Sequence, residues 1–166
     1  MKKAIFWIGI LLVFFITPSA FAADVPGVTD TEVVIGITDP FSGPAALWGT
    51  TARGAKAWAD HVNAQGGVHG RKIKVIMKDD GYNPARALAN LQEMKGKVFA
   101  IAGLLGTAIC NAAKDFPAEH NIPLITAYGD IRIFARQPKN KIRNVFVTYP
   151  DYEDEGQYLT TWAIKN

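Results

Sequence analysis

The chain has 166 residues, 49% of them hydrophobic and 20% charged, with a formal net charge of +3 and one cysteine. Lys2 and Lys3 account for two of those three charges, so the balance of the remainder gives no argument for nucleic acid or an anionic membrane surface as partner. A lone cysteine, Cys110, excludes an internal disulfide and reads as a small apolar packing residue. The N-terminus comes first: a basic pair, an apolar run from Ala4 to Ile16, a break at Thr17-Pro18-Ser19 and the small-x-small pattern Ala20-Phe21-Ala22. That order predicts a secretory signal peptide over residues 1–22. The apolar run is shorter than the roughly 18 residues expected of a membrane span, and no cysteine stands at the cut for a lipid anchor.

A polar lead-in with Pro26 and Gly27 precedes an apolar strand at Val33 to Ile37, which ends in Asp39-Pro40 and the turn Ser42-Gly43-Pro44. A helix follows with Ala52, Ala55, Ala59 and Val62 on its apolar face. It stops at Asn63 to Gly67, where two glycines supply the left-handed conformation that helix ends favour. A second strand, Lys72 to Lys78, alternates Ile73, Val75 and Met77, which completes a parallel, right-handed βαβ unit.

Asn83-Pro84 starts the next helix, with proline where its missing N–H costs nothing, and the helix runs to about Lys95. Strand three is expected at Val98 to Ala102, ending at Gly103. A third helix covers about Ala108 to His120 and is bent or shortened by Pro117. Strand four is expected at Ile122 to Thr126, a fifth at Val145 to Thr148, and a last helix at Glu153 to Lys165. Between them, Arg132 to Arg143 reads as a solvated basic loop, with no aromatic platform for nucleic acid beside it. Alternating β and α elements predict an α/β fold with a parallel, doubly wound sheet covered on both faces.

In such sheets ligands bind beyond the carboxyl ends of the strands. Three loops leave those ends: Asp39 to Trp48, Gly103 to Ala108, and Ala127 to Asp130. The second, Gly103-Leu104-Leu105-Gly106-Thr107, opens a helix whose free N–H groups suit a carboxylate. Thr107 there either caps the helix or offers its hydroxyl to a ligand. Trp48 reads either as packing or as a binding surface.

Catalytic alternatives find little support. Asp79-Asp80-Gly81 after strand two reads as a turn held by local backbone N–H groups rather than an acid/base pair. His61, His69 and His120 lack metal-ligand spacing. Gly66 to Gly70 lacks the Lys-Ser/Thr of a phosphate loop, and no nucleophile–base constellation is visible. The reading is of a binding protein with no enzyme activity and no cofactor.

The motifs P-x-S-G-x-x-A-x-x-G from Pro40, G-x-K-A-x-x-x-x-x-N-A-x-G-G-V-x-G-R-K-I from Gly54 and D-D-x-x-x-P-x-x-A from Asp79 carry a family resemblance. In that order and register the chain resembles the type I periplasmic binding proteins, and more narrowly their leucine/isoleucine/valine-binding branch, from about Glu32 to Trp162. The resemblance implies a solute receptor of an ABC importer for amino acids or related small carboxylates. It would be a monomer when complete, closing two lobes over its ligand through a hinge near Thr148 to Asp151 and docking on a membrane permease. A ligand-sensing domain of a receptor or regulator shares the fold and is the alternative.

The resemblance also implies that residues 23–150 are part of a first lobe and that 151–166 begin the helix leading to a second. The chain is therefore expected to be truncated, to leave apolar helix and sheet surface exposed, including the Tyr158 to Trp162 face, to bind the family ligand weakly or not at all, and to tend to aggregate when alone. By the same resemblance, Trp48 is placed against the ligand and Thr107 holds its carboxylate. Tyr128 and Asp130 stand where the family uses a small residue's backbone and a threonine hydroxyl for the ligand's amino group. This sequence departs from that pattern: Asp130 could pair with an ammonium, and Tyr128 could narrow the site or stack on a ring, which leaves an aromatic or other small carboxylate open.

Overall fold

The computed structural model describes residues 25–166, so the expected signal peptide lies outside the described residues. Five strands pair in parallel, in the order β2-β1-β3-β4-β5. They are β1 (Glu32–Asp39), β2 (Lys72–Asp79), β3 (Ala100–Leu105), β4 (Leu124–Tyr128) and β5 (Val145–Phe146). This is the α/β parallel sheet expected from the sequence.

Helix α1 (Thr50–Ala64) crosses one face. Its end is fixed by a side-chain clamp: the Asn63 amide donates to the Ile73 carbonyl at 2.8 Å and accepts from the Ile73 N–H at 2.7 Å, tying the helix to the start of β2. Gly67 turns the chain at φ +82°, and a Cβ there would stand 2.0 Å from the Arg71 carbonyl oxygen, so no other residue fits. β2 forms one edge of the sheet, where alternating Lys72, Lys74 and Lys78 discourage pairing with another chain.

The opposite face carries α2 (Pro84–Met94) and α3 (Thr107–Ala113). Asn83 caps α2 by accepting from the Arg86 N–H at 3.0 Å, with Pro84 in the first turn, as the sequence predicts. The main core lies on this side. Leu91 and Met94 of α2, Ile109 and Cys110 of α3, and Ile101, Leu104 and Leu124 of the sheet are all buried. Cys110 packs as a small apolar residue, and burial pushes its thiol up to about 12.

Three expectations need correction. β3 and β4 do not stop at Ala102 and Thr126 but continue to Leu105 and Tyr128; Gly103 and Thr126 adopt φ of +110° and +59° and bulge instead of ending the strands. The single helix over 108–120 is two, α3 and α4 (Phe116–Glu119), because Pro117 cannot donate into a continuing helix. The basic segment is no free loop: it folds into α5 (Arg132–Ala135) and α6 (Lys139–Ile142), with Lys141 3.3 Å from Asp115 and Arg132 ion-paired. Helices flank both faces of the sheet, and the α1 face is covered only in part, in keeping with the exposed apolar sheet surface expected from the sequence. Ala55 is exposed, as are Ile125 (39%) and Phe146 (56%), which pair side by side on β4 and β5.

The last helix, α7 (Tyr152–Lys165), starts on Asp151, whose side chain accepts from the Glu153 N–H at 2.7 Å. Glu153, Asp154 and Glu155 in its first turn complement the helix dipole. Its apolar residues Tyr158, Leu159 and Trp162 are exposed.

Candidate functional site

Asp79 shapes the loop after β1. Its Oδ1 accepts from the N–H groups of Phe41 (2.7 Å), Ser42 (3.2 Å) and Gly81 (2.9 Å), and its Oδ2 accepts from the Ser42 hydroxyl at 2.5 Å. These bonds, the Ser42 hydroxyl foremost, lower its carboxyl to about 2. The pair Asp79-Asp80 is thus a turn-former, as the sequence suggested, and it anchors the segment that carries Trp48.

Asp80 performs a second structural task. It is fully buried, accepts from the Thr38 hydroxyl at 3.0 Å, and holds the Tyr82 N–H at 2.8 Å on its Oδ1. Asn90 of α2 closes the network by donating to the Thr38 hydroxyl at 3.0 Å. Burial raises the Asp80 carboxyl above its ordinary range. The network keeps Tyr82 at φ +61°, an uncommon conformation for an aromatic residue.

Tyr82 is thereby aimed across the carboxyl edge of the sheet at the loop after β3. A Cβ on Gly106 would meet the Tyr82 ring at 2.5 to 2.8 Å. Gly129, after β4, lies against the 106–107 peptide: a Cβ there would stand 3.0 Å from the Thr107 nitrogen, a tight contact that would press the two loops apart by a few tenths of an ångström. At Gly106 a Cβ would collide with the ring outright, so glycine lets Tyr82 approach the backbone. The Thr107 hydroxyl accepts from the Asp130 N–H at 3.1 Å, which joins the β3 and β4 loops.

Between these loops lies a cavity of about 260 Å³. Trp48, Thr107 and Tyr128 all line it, so three of the four residues singled out in the sequence come together. The fourth, Asp130, does not line it: its N–H holds the Thr107 hydroxyl, and its carboxylate turns away to Arg132, Nε to Oδ1 at 3.0 Å and Nη2 to Oδ2 at 3.1 Å. Arg132 also reaches Glu153 at 2.7 Å. The Arg132 hydrogen bonds hold the Asp130 carboxyl below its usual range.

Sequence reasoning missed Tyr82, Tyr149 and Tyr152, which complete the wall. Tyr82 meets Trp48 edge to face at 5.5 Å and 70°; Tyr149 meets Tyr128 at 6.1 Å and Tyr152 at 5.8 Å, both near-perpendicular. Burial raises the Tyr152 phenol. A signal was available for the last two: Tyr149-Pro150-Asp151-Tyr152 follows a strand and so leaves the same sheet edge as the three loops.

A second, smaller cavity of about 120 Å³ opens on the α1 face beside Asp39, Thr51, Gly103 and Thr126. Asp39 is 1% exposed. Its Oδ2 accepts from the Thr51 hydroxyl at 3.2 Å, while its Oδ1 has no hydrogen-bond partner. Burial pushes its carboxyl up to about 7, with Thr51 opposing and Asp80 adding. Among the described residues, no cluster of His, Cys, Asp and Glu suited to a metal ion occurs.

A sequence model of the periplasmic binding protein family matches residues 32–166. An amino acid binding protein of Pseudomonas aeruginosa is 32% identical over 110 residues, covering 64% of this chain and 26% of that protein. Leu/Ile/Val-binding protein homolog 1 of Brucella abortus is 33% identical over 132 residues, covering 78% of this chain and 30% of that one. Among solved structures, a fatty acid ABC transporter substrate-binding protein from Thermomonospora curvata superposes with a TM-score of 0.57 at 33% identity, over 60% of this chain and 26% of that one. The chain spans about a fifth to two fifths of the length of the curated relatives it matches.

Proposed function

The chain belongs to the periplasmic binding proteins, a family of binding proteins rather than enzymes, and from that premise we propose that it forms the ligand-facing part of an extracytoplasmic solute receptor serving an ABC importer. Its solute is a small carboxylate or amino acid. A branched-chain amino acid is the choice favoured by the names of relatives such as the Brucella protein; the fatty acid named for the Thermomonospora structure keeps other carboxylates in view. The observation that carries the reading is the cavity at the carboxyl edge, where Trp48 from the β1 loop, Thr107 from the β3 loop and Tyr128 at the end of β4 converge. Asp130 supports it through its N–H, which keeps the Thr107 hydroxyl in place.

In this reading residues 1–22 are an export signal, 23–150 are part of a first lobe, and α7 leads toward a second lobe that closes over the ligand through a hinge near Thr148 to Asp151. The closed receptor, a monomer, docks on its membrane permease. One lobe supplies half of the contacts and no closure, so affinity for the chain as it stands is in the millimolar range, roughly 4 kcal/mol.

An NMR titration of the 15N-labelled chain with a panel of amino acids and small carboxylates tests this. Saturable shifts at Gly106, Thr107 and Gly129 are expected for at least one of them, and Thr107→Val weakens that response. No shift at these amides up to about 10 mM of any ligand, a limit near 3 kcal/mol, rejects the reading.

A further inference from the structure

One guanidinium joins two parts of the molecule that have separate tasks. Arg132, at the start of α5, donates from Nε to Asp130 Oδ1 at 3.0 Å and from Nη2 to Asp130 Oδ2 at 3.1 Å. Its Nη1 donates to Glu153 Oε2 at 2.7 Å, and its Nε stands 3.7 Å from Asp151 Oδ1. Asp130 belongs to the loop after β4, whereas Asp151 and Glu153 form the cap and first turn of α7. Each of the three carboxylates finds its cation within this chain.

On the loop side the clamp is tight. Asp130 Oδ1 also accepts from the Arg132 backbone N–H at 3.1 Å, so three N–H groups of one residue hold one carboxylate. These bonds keep it ionised by holding its carboxyl below the usual range. Gly129 before it imposes little on the backbone, so the clamp decides where the Asp130 N–H points. That N–H is the one that holds the Thr107 hydroxyl at 3.1 Å. On the helix side the hold is narrow. Every residue of α7 from Gly156 onward is exposed, so the first turn sets the direction in which the helix leaves the sheet. There Asp151 Oδ1 serves both the Glu153 N–H, at 2.7 Å, and Arg132. A planar fork can serve both oxygens of Asp130 and a second carboxylate at once, which a lysine ammonium cannot do in the same geometry.

Resting on the hinge read near Thr148 to Asp151, we propose that Arg132 is a positioning residue that couples this hinge to the ligand loop. It fixes the Thr107 hydroxyl through Asp130 and the departure of α7 through Asp151 and Glu153. A change in the angle of α7 therefore alters the hold on Thr107, and the coupling acts equally in reverse. A second route lies beside it, since Tyr152 meets Tyr149 edge to face and lines the same cavity as Thr107.

The test needs no solute, so its failure leaves the receptor reading to its own titration. In the 15N-labelled chain, Arg132→Met should shift the Asp130 and Thr107 amides and lower the order parameters of α7 from about 0.85 toward about 0.6. Glu153→Gln, made at the helix end, should shift the same two amides in the parent and leave them still in the Arg132→Met background. Asp154→Asn removes a neighbouring charge outside the cluster and should move neither. If Arg132→Met does not fold, Arg132→Lys, which keeps the charge without the fork, takes its place with the same expectations. Loosening of α7 with Thr107 and Asp130 unmoved overturns the coupling. So does an equal effect of Glu153→Gln in both backgrounds, which would assign the connection to the tyrosines, or an equal effect of Asp154→Asn, which would assign it to the general field.

Discussion

Replacing Asp39 by asparagine should stabilise the chain at pH 8 and leave it unchanged at pH 4. The carboxyl is 1% exposed, one oxygen has no partner, and its value is raised from 3.8 to about 7, chiefly by burial. The unfolded chain therefore gives up this proton near pH 4, and the folded chain holds it until about pH 7. Between those limits the native state binds more protons, so stability falls as pH rises. Asp39 contributes fully below pH 4, loses that contribution through pH 7, and has no further effect above. Three units of difference correspond to about 4 kcal/mol, an upper figure because the neighbouring Asp80 titrates with it and the cavity can admit water. Asparagine keeps the acceptor for the Thr51 hydroxyl and removes the ionisation. Urea unfolding of parent and Asp39→Asn at pH 4, 6 and 8 should give curves that coincide at pH 4 and diverge by about 2–4 kcal/mol at pH 8. A difference that is the same at both ends would refute the reasoning, since only an ionisation confined to the folded interior produces a gap that opens with pH.

Asp79→Ala should cost about 1–2 kcal/mol at pH 7, discounted because the side chain is 34% exposed. Its carboxyl is lowered to about 2, so that contribution is present above pH 4 and is lost as the pH falls toward 2, which acid titration followed by circular dichroism would register. Asn63→Ala removes both bonds to Ile73 and should cost about 2 kcal/mol in urea unfolding. Thr126→Gly should stabilise by about 1 kcal/mol, because a β-branched residue at φ +59° is strained and glycine is not; destabilisation in the same assay would mean that its side chain contributes more than the strain removes.

The fold was legible where local chemistry and tertiary packing agree. Alternation in β2, the Asn83-Pro84 start of α2 and the paired glycines after α1 each predicted an element that the structure contains. The candidate site was legible in part as loops: Trp48 and Thr107 stand in loops that leave strands, Tyr128 was singled out by the family resemblance, and the three line one cavity. Side-chain commitment was not. Nothing local to Asp130 announces that Arg132, two residues on, folds back to take both its oxygens. Tyr82 was hidden for a similar reason, since its position depends on Asp80, and Asp80 is held by Thr38, 42 residues earlier. Asp39 passed for the first residue of a loop because its burial depends on β3, β4 and α1 packing around it.

The misplaced ends of β3 and β4 connect these failures to the site itself. Gly36 stands beside Ile101 and Thr38 beside Leu104, so two steps along β1 match three along β3. β3 and β4 stay in register with each other, Ile101 with Leu124 and Leu104 with Ala127, which requires the same extra residue in both. Those extra residues fall at Gly103 and Thr126, the two with positive φ in these strands. In each strand two consecutive side positions then face α1: Ala102 and Gly103 line the small cavity beside Asp39, and Thr126 follows the exposed Ile125. The next residues, Leu104 and Ala127, return to the main core. Had β3 and β4 run without the bulges, Leu104 and Ala127 would face the open side, and Leu105 and Tyr128 would exchange faces as well. Paired irregularities that resemble strand ends in a sequence thus carry both strands one residue further, anchor them in the core, and deliver Gly106, Thr107 and Tyr128 to the aromatic cavity. The same shift leaves Asp39 facing a gap with one oxygen unpartnered, so the geometry that builds the proposed ligand wall also creates the pH-sensitive weakness on the other face.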